Sequence, residues 1–255
     1  MAVIQKDFNV MGLPMAISRN NPIPLDKTAV WYNLDLLKAY AESDPTAYVG
    51  QILGLVDATN RTATAYIITS VAGAFPASQS FIEVKALEVA MAIENGADEI
   101  DIVLNPGMMI AGHESEAASE VEVLREEAKD VVLKVIIESG ALKTPELIRR
   151  ASLVSMFAGA DFVKTSTGKI DVAATPEAAF VMCHAIKDYY NLTGRKVGFK
   201  AAGGVKTPED AALYYTIVEE VLGKEWLTTD LFRIGASSAA NNLISAIEDK
   251  VVNYF

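Results

Sequence analysis

From residue 65 onward, short apolar runs alternate with longer amphipathic stretches. The runs cover residues 65–71, 99–104, 131–137, 161–165, 196–200 and 231–235. Nearly continuous apolar runs of this length predict strands buried on both faces, as in a parallel sheet. Helices are predicted at about 80–95, with Val84, Leu87 and Met91 on one face and Gly96 as its stop, at about 114–129, and at about 239–252. Three more begin with one repeated signal: Thr144-Pro145-Glu146, Thr175-Pro176-Glu177 and Thr207-Pro208-Glu209. Threonine caps, proline suits the first helical position, and glutamate complements the positive end of the helix dipole. The starts are 31 and 32 residues apart, the length of one strand–helix unit.

Six such units are placed, and the first 65 residues have room for two more. Eight units predict a (β/α)8 TIM barrel of the α/β class, with residues 1–255 as a single domain. A doubly wound sheet is the alternative, but its G-x-G-x-x-G dinucleotide fingerprint is missing. The 51% hydrophobic content supplies a large core. The net charge of −11, with no basic patch on any predicted helix, argues against nucleic acid as a partner. A lone Cys183 forms no internal disulfide, fits a reducing compartment and is expected to pack in a helix. Met1 to Asp7 lack a signal-peptide apolar region. No uncharged apolar run nears the ~18 residues of a membrane span. A soluble, cytoplasmic protein with no membrane partner is expected.

Two lysines carry the chemistry. Lys164 and Lys200 each end an apolar run and lead into a turn of small or hydroxyl residues, Thr165-Ser166-Thr167-Gly168-Lys169 and Ala201-Ala202-Gly203-Gly204. A buried bare ammonium is costly. Two in one site would depress each other's pKa and favour a neutral amine able to attack a carbonyl. Period-2 alternation puts Asp101, Val103 and Asn105 opposite the wholly apolar face of Ile100, Ile102 and Leu104. Asp101 therefore points inward and needs a cation, with Lys164 and Lys200 as candidates and Lys134 as a third. The plain alternative is buried ion pairs without chemistry. Gly203-Gly204 and Gly235-Ala236-Ser237-Ser238 each precede a helix, so amides and serine hydroxyls could hold a phosphate there; ordinary tight turns would read the same way. His113 and His184 lie 71 residues apart, outside any metal-ligand motif.

These segments resemble the deoxyribose-phosphate aldolase family. Residues 162–169 look like its Schiff-base motif and residues 198–205 its second-lysine motif, with Ala201 where many members have proline. Residues 99–103 resemble the strand carrying its proton-relay aspartate, and residues 232–238 its last phosphate-binding loop. Residues 135–140 and 72–76 also match. The resemblance implies a class I aldolase, a carbon–carbon lyase of deoxyribonucleotide breakdown that needs no cofactor. It would interconvert 2-deoxy-D-ribose 5-phosphate with acetaldehyde and glyceraldehyde 3-phosphate, so that its partner is a phosphorylated sugar; a homo-oligomer is left open. Lys164 would form the imine, Lys200 would tune it and shuttle protons, and Asp101 would relay protons through water. Gly168, Lys169, Gly203, Gly204, Ser237 and Ser238 would hold the phosphate. Tyr254 resembles a tail tyrosine that assists proton transfer in some members. Residues 1–65 are atypical, with no clear counterpart of the family's opening Asp-x-Thr strand. The competing reading is a diverged, inactive aldolase fold that binds another macromolecule.

Overall fold

The computed structural model describes residue 67, residues 69–236 and residues 239–251. The two units expected within residues 1–65, together with Ser237, Ser238 and Tyr254, lie outside the described residues. The rest forms six strand–helix units. In chain order they are β1 (Thr69–Val71), α1 (Ile82–Glu94), β2 (Glu99–Val103), α2 (Pro106–Ala111), α3 (Glu114–Ala128), β3 (Val132–Ile136), α4 (Ser139–Leu142), α5 (Pro145–Phe157), β4 (Phe162–Lys164), α6 (Pro176–Thr193), β5 (Gly198–Ala202), α7 (Pro208–Leu222), β6 (Phe232–Gly235) and α8 (Ala239–Glu248).

The repeated helix starts act as read from the sequence. Thr144, Thr175 and Thr207 each accept a hydrogen bond from the amide three residues on, at 3.3, 3.2 and 3.1 Å. Each such cap stabilises its helix by about 1 kcal/mol. Two short helices, α2 and α4, were not anticipated. Asn105 caps α2 by accepting from the Met108 amide, with Pro106 at its first position.

Every strand pairs in parallel with its chain neighbour, in the order β1 to β6. The sheet is strongly curled. On a flat sheet β2 and β6 would lie about 19 Å apart, four steps of ~4.8 Å, too far for two side chains to meet. Yet Arg233 of β6 reaches Glu99 of β2 at 2.9 Å. The six strands are thus a half-barrel with charged side chains inside the curl. Ile100, Ile102, Leu133, Val135 and Val163 face outward into the main hydrophobic core beneath the helices. No helix among the described residues is long and apolar enough to cross a membrane.

The face assigned to α1 is corrected. Val84, Leu87 and Met91 are 45, 59 and 52% exposed, whereas Val89 is fully buried. The packed stripe runs through Ile82, Lys85, Ala86, Val89, Ala92 and Ile93. Lys85 hid that stripe in the sequence because its charge marks a surface position. Its ammonium is instead buried against Ser78 Oγ at 3.0 Å and Glu120 Oε2 at 2.8 Å. A second difference concerns β5, which continues to Ala202; Lys200 sits at the middle of its strand rather than at its end.

Candidate active site

Inside the curl, Asp101 is the hub. Its Oδ2 receives the Lys164 ammonium at 2.6 Å and the Lys200 ammonium at 3.1 Å, and its Oδ1 receives Lys134 at 3.0 Å. Strand register explains the convergence. Asp101 is paired with Lys134 across β2 and β3, and Lys164 with Lys200 across β4 and β5. The curl then brings both halves to one centre. All four side chains are buried.

A second layer lies two residues deeper. Glu99 accepts Lys134 at 2.5 Å, both terminal nitrogens of Arg233 at 3.1 and 2.9 Å, and the Thr69 hydroxyl at 3.1 Å. Arg233 also lies over the Phe162 ring, 5.4 Å from its centroid. Burial would raise the Asp101 carboxyl, but the charges of Lys164, Lys200 and Lys134 outweigh it and hold the group well below the usual carboxylate range. Glu99 is lowered in the same way, with Lys134 and Arg233 overcoming its desolvation. Among the described residues, four cations thus gather on two ionised carboxylates.

The turns expected to hold phosphate come together in part. The loops after β4 and β5 touch: a Cβ on Gly203 would lie 3.1 Å from Gly168 Cα and 2.8 Å from Ala173 Cβ. Gly203 adopts φ +80°, the left-handed region that suits glycine. Gly204 and Lys169, their chain neighbours, are exposed beside that contact. At the helix start after Gly204, Asp210 accepts from the Lys206 and Thr207 amides, and Thr207 accepts from the Asp210 amide. The expected phosphate site thus rests mainly on the glycine turn. Gly203→Ala should therefore raise KM for a phosphorylated sugar by about tenfold through local strain, with little change for its unphosphorylated analogue. Steady-state kinetics on the pair checks this.

The sequence reading missed Glu99, Arg233 and Glu138. Glu99 was within reach, since it shares Asp101's face two residues earlier; Arg233, an arginine inside an apolar strand, gave the same kind of signal. Gly235 was read as a turn residue, yet it also makes room for the Lys200 side chain. A Cβ there would lie 3.1 Å from Lys200 Cε. Cys183 is buried in α6, where desolvation pushes its thiol far up, so it packs rather than reacts. His184 sits edge-on to Phe180, and His113 is exposed beside Glu116.

A curled parallel α/β sheet brings three amines and a carboxylate together inside it, an arrangement suited to amine–carbonyl chemistry. The model of the DeoC/LacD family aldolases matches residues 36–238, and the chain belongs to that family. A Caenorhabditis elegans relative is 46% identical over 180 residues, 71% of this chain; the match spans 59% of the nematode protein, less than two thirds of its length. The deoxyribose-phosphate aldolase of Mus musculus is 40% identical over 227 residues, covering 86% of this chain and 70% of the mouse protein. Among solved structures, the deoxyribose phosphate aldolase of Aeropyrum pernix, described as a unique tetrameric structure, is 27% identical with a TM-score of 0.57 over 94% of this chain and 97% of that one.

Proposed function

We propose that this chain is a class I aldolase that reversibly cleaves 2-deoxy-D-ribose 5-phosphate to acetaldehyde and D-glyceraldehyde 3-phosphate. One observation carries the reading: the Lys164 and Lys200 amines meet the same buried oxygen of Asp101. Family membership and the mouse relative support the substrate.

In this reading Lys164 Nζ attacks C1 of the open-chain sugar, and loss of water gives the iminium. The iminium draws the electrons of the C2–C3 bond as the C3 hydroxyl loses its proton. Glyceraldehyde 3-phosphate departs, and an enamine remains on Lys164. Protonation of its carbon and hydrolysis of the imine release acetaldehyde and the free amine. Asp101, an ionised carboxylate, accepts and returns protons through water, and Lys200 shuttles them. Lys134 is tied to Glu99 as well as Asp101, so it holds the aspartate in place. Gly168, Lys169, Gly203 and Gly204 hold the phosphate, with Ser237 and Ser238 joining them.

The half-barrel is completed in this proposal to the eight-stranded barrel of a single domain, 1–255, working as a homo-oligomer in the cytoplasm in deoxyribonucleotide breakdown. The reading as an inactive binding protein fits poorly with so costly a buried cluster. Release of acetaldehyde from 2-deoxyribose 5-phosphate, followed by coupled reduction, tests the choice; no turnover would favour the binding protein.

Lys200 tunes the nucleophile. Removing its like charge in Lys200→Leu should shift the pH dependence of imine formation to higher pH. The rate of borohydride trapping, followed against pH, checks this, and an unmoved profile would remove Lys200 from the role.

A further inference from the structure

Glu138 takes no part in the scheme above, yet it is a buried carboxylate in an unusual backbone state. It follows β3 by two residues and adopts φ 51°, ψ 61°, a left-handed conformation that costs a non-glycine residue about 1–2 kcal/mol. It is 4% exposed. Among the described residues it makes no ion pair. Among the described residues its carboxylate meets a single neighbour: one oxygen accepts the Thr167 amide at 3.2 Å and the other accepts the Thr167 hydroxyl in a very short bond.

Thr167 is a relay. Its hydroxyl has one proton, and that proton goes to Glu138. The same oxygen must then present a lone pair outward, and it accepts the Lys169 amide at 3.1 Å. Gly168, in a left-handed turn at φ 73°, lies between the two. The carboxylate thus sets the backbone of Gly168 and Lys169 through one oriented hydroxyl. Two further contacts bind the same loops. The Ser139 amide donates to the Thr165 carbonyl at 2.9 Å. Gly140 passes so close to the next loop that a Cβ on it would lie 2.0 Å from the Val172 carbonyl oxygen. The strained backbone at Glu138 is where this brace begins, as strain held by its surroundings often marks a functional position.

We propose that Glu138 is a positioning residue that holds the Gly168–Lys169 turn in its phosphate-receiving shape and so sets the preference for phosphorylated over unphosphorylated sugar. The inference rests on the reading of that turn as part of the phosphate site. A negative residue is suited to this task because it works from beneath the loop. It orients backbone donors by accepting from the far side, and its own charge is spent on Thr167.

Glu138→Gln in the full chain tests it. The amide has the same shape but only one acceptor oxygen for the two Thr167 donors, the hydroxyl and the backbone N–H. One of them faces an NH2 group in either orientation, and the charge that orders the Thr167–Lys169 turn is gone. KM for 2-deoxyribose 5-phosphate should rise on the order of tenfold, the cost of one charge-assisted hydrogen bond. Kinetics on unphosphorylated deoxyribose and borohydride fixation of acetaldehyde on Lys164 should stay at parent levels. Inhibition by inorganic phosphate should weaken by the same factor as KM. Equal losses on both sugars, or slowed fixation on Lys164, would make Glu138 a brace of the whole site and overturn the proposal. Lys169→Met is run beside it. If Lys169→Met loses the phosphate preference and Glu138→Gln keeps it, the positioning role falls and the phosphate reading stands. If neither variant loses it, the phosphate reading falls and the role falls with it. Should Glu138→Gln fail to fold, Thr167→Val removes the same relay hydroxyl, and the same KM split decides.

Discussion

Borohydride added with acetaldehyde should fix an ethyl group on Lys164, and Lys164→Met should lower turnover by about 10⁴-fold or more, the scale seen when a covalent nucleophile is removed. Three buried lysines compete for the assignment, and their places in the sheet separate them. Lys134 lies at the middle of β3, bonded to both Glu99 and Asp101, so two carboxylates hold it in place. Lys200 shares Lys164's register but is followed by Ala201 and Ala202 within β5. Lys164 is the last residue of β4. The chain opens there into the Thr165–Lys169 loop, at the C-terminal strand end where parallel α/β sheets keep their chemistry. Peptide mapping of the reduced protein reads the outcome directly. A label on Lys200 or Lys134 would reverse the roles drawn above, even if activity were present.

The three Thr-Pro-Glu starts were legible because capping is local: cap, proline and acid lie within three residues, and no distant contact is needed to place them. The Asp101 cluster was half legible. Alternation alone turned Asp101 inward, and burial cost alone demanded a cation for it. Which cations answer depends on the curl, because β2 and β5 are not neighbours in the sheet, and curl is a property of the whole strand set. The same holds for Arg233 on Glu99. The face of α1 was misread for a related reason. A lysine on the buried stripe is permitted only because Ser78 and Glu120 wait for its ammonium, and its counter-charge, Glu120, lies 35 residues away in sequence. Glu138 lay within a segment that resembles the family, but its role was not legible there, since its partner Thr167 lies 29 residues later, in the loop after β4.

Asp101→Asn should be the most damaging isosteric change among the described residues, in stability as well as activity. Asparagine keeps the volume but leaves three buried amines without their shared counter-charge. Breaking a buried ion pair from one side costs about 3–5 kcal/mol, equivalent to a Tm lower by about 10 °C at neutral pH. The sign of the pH dependence separates this cause from simple misfit. In the parent, the Asp101 carboxyl is held well below the usual range by Lys164, Lys200 and Lys134, against its desolvation. A depressed carboxyl contributes stability that is fully present above its unfolded value, about 3.9, and is lost as pH falls through the folded value. From pH 5 upward the parent therefore gains nothing from this group as pH rises. In Asp101→Asn the buried excess is positive, and shedding a proton from an amine relieves it, so this variant should grow more stable with rising pH. Adding Lys134→Met should return part of the loss, since Glu99 keeps both bonds to Arg233, and the coupling between the two changes should be favourable. Thermal unfolding of the parent, the single variants and the double variant from pH 5 to 9 checks both parts. A flat pH response in Asp101→Asn, within about 1 kcal/mol of the parent, would mean that the aspartate's charge does not hold the cluster together.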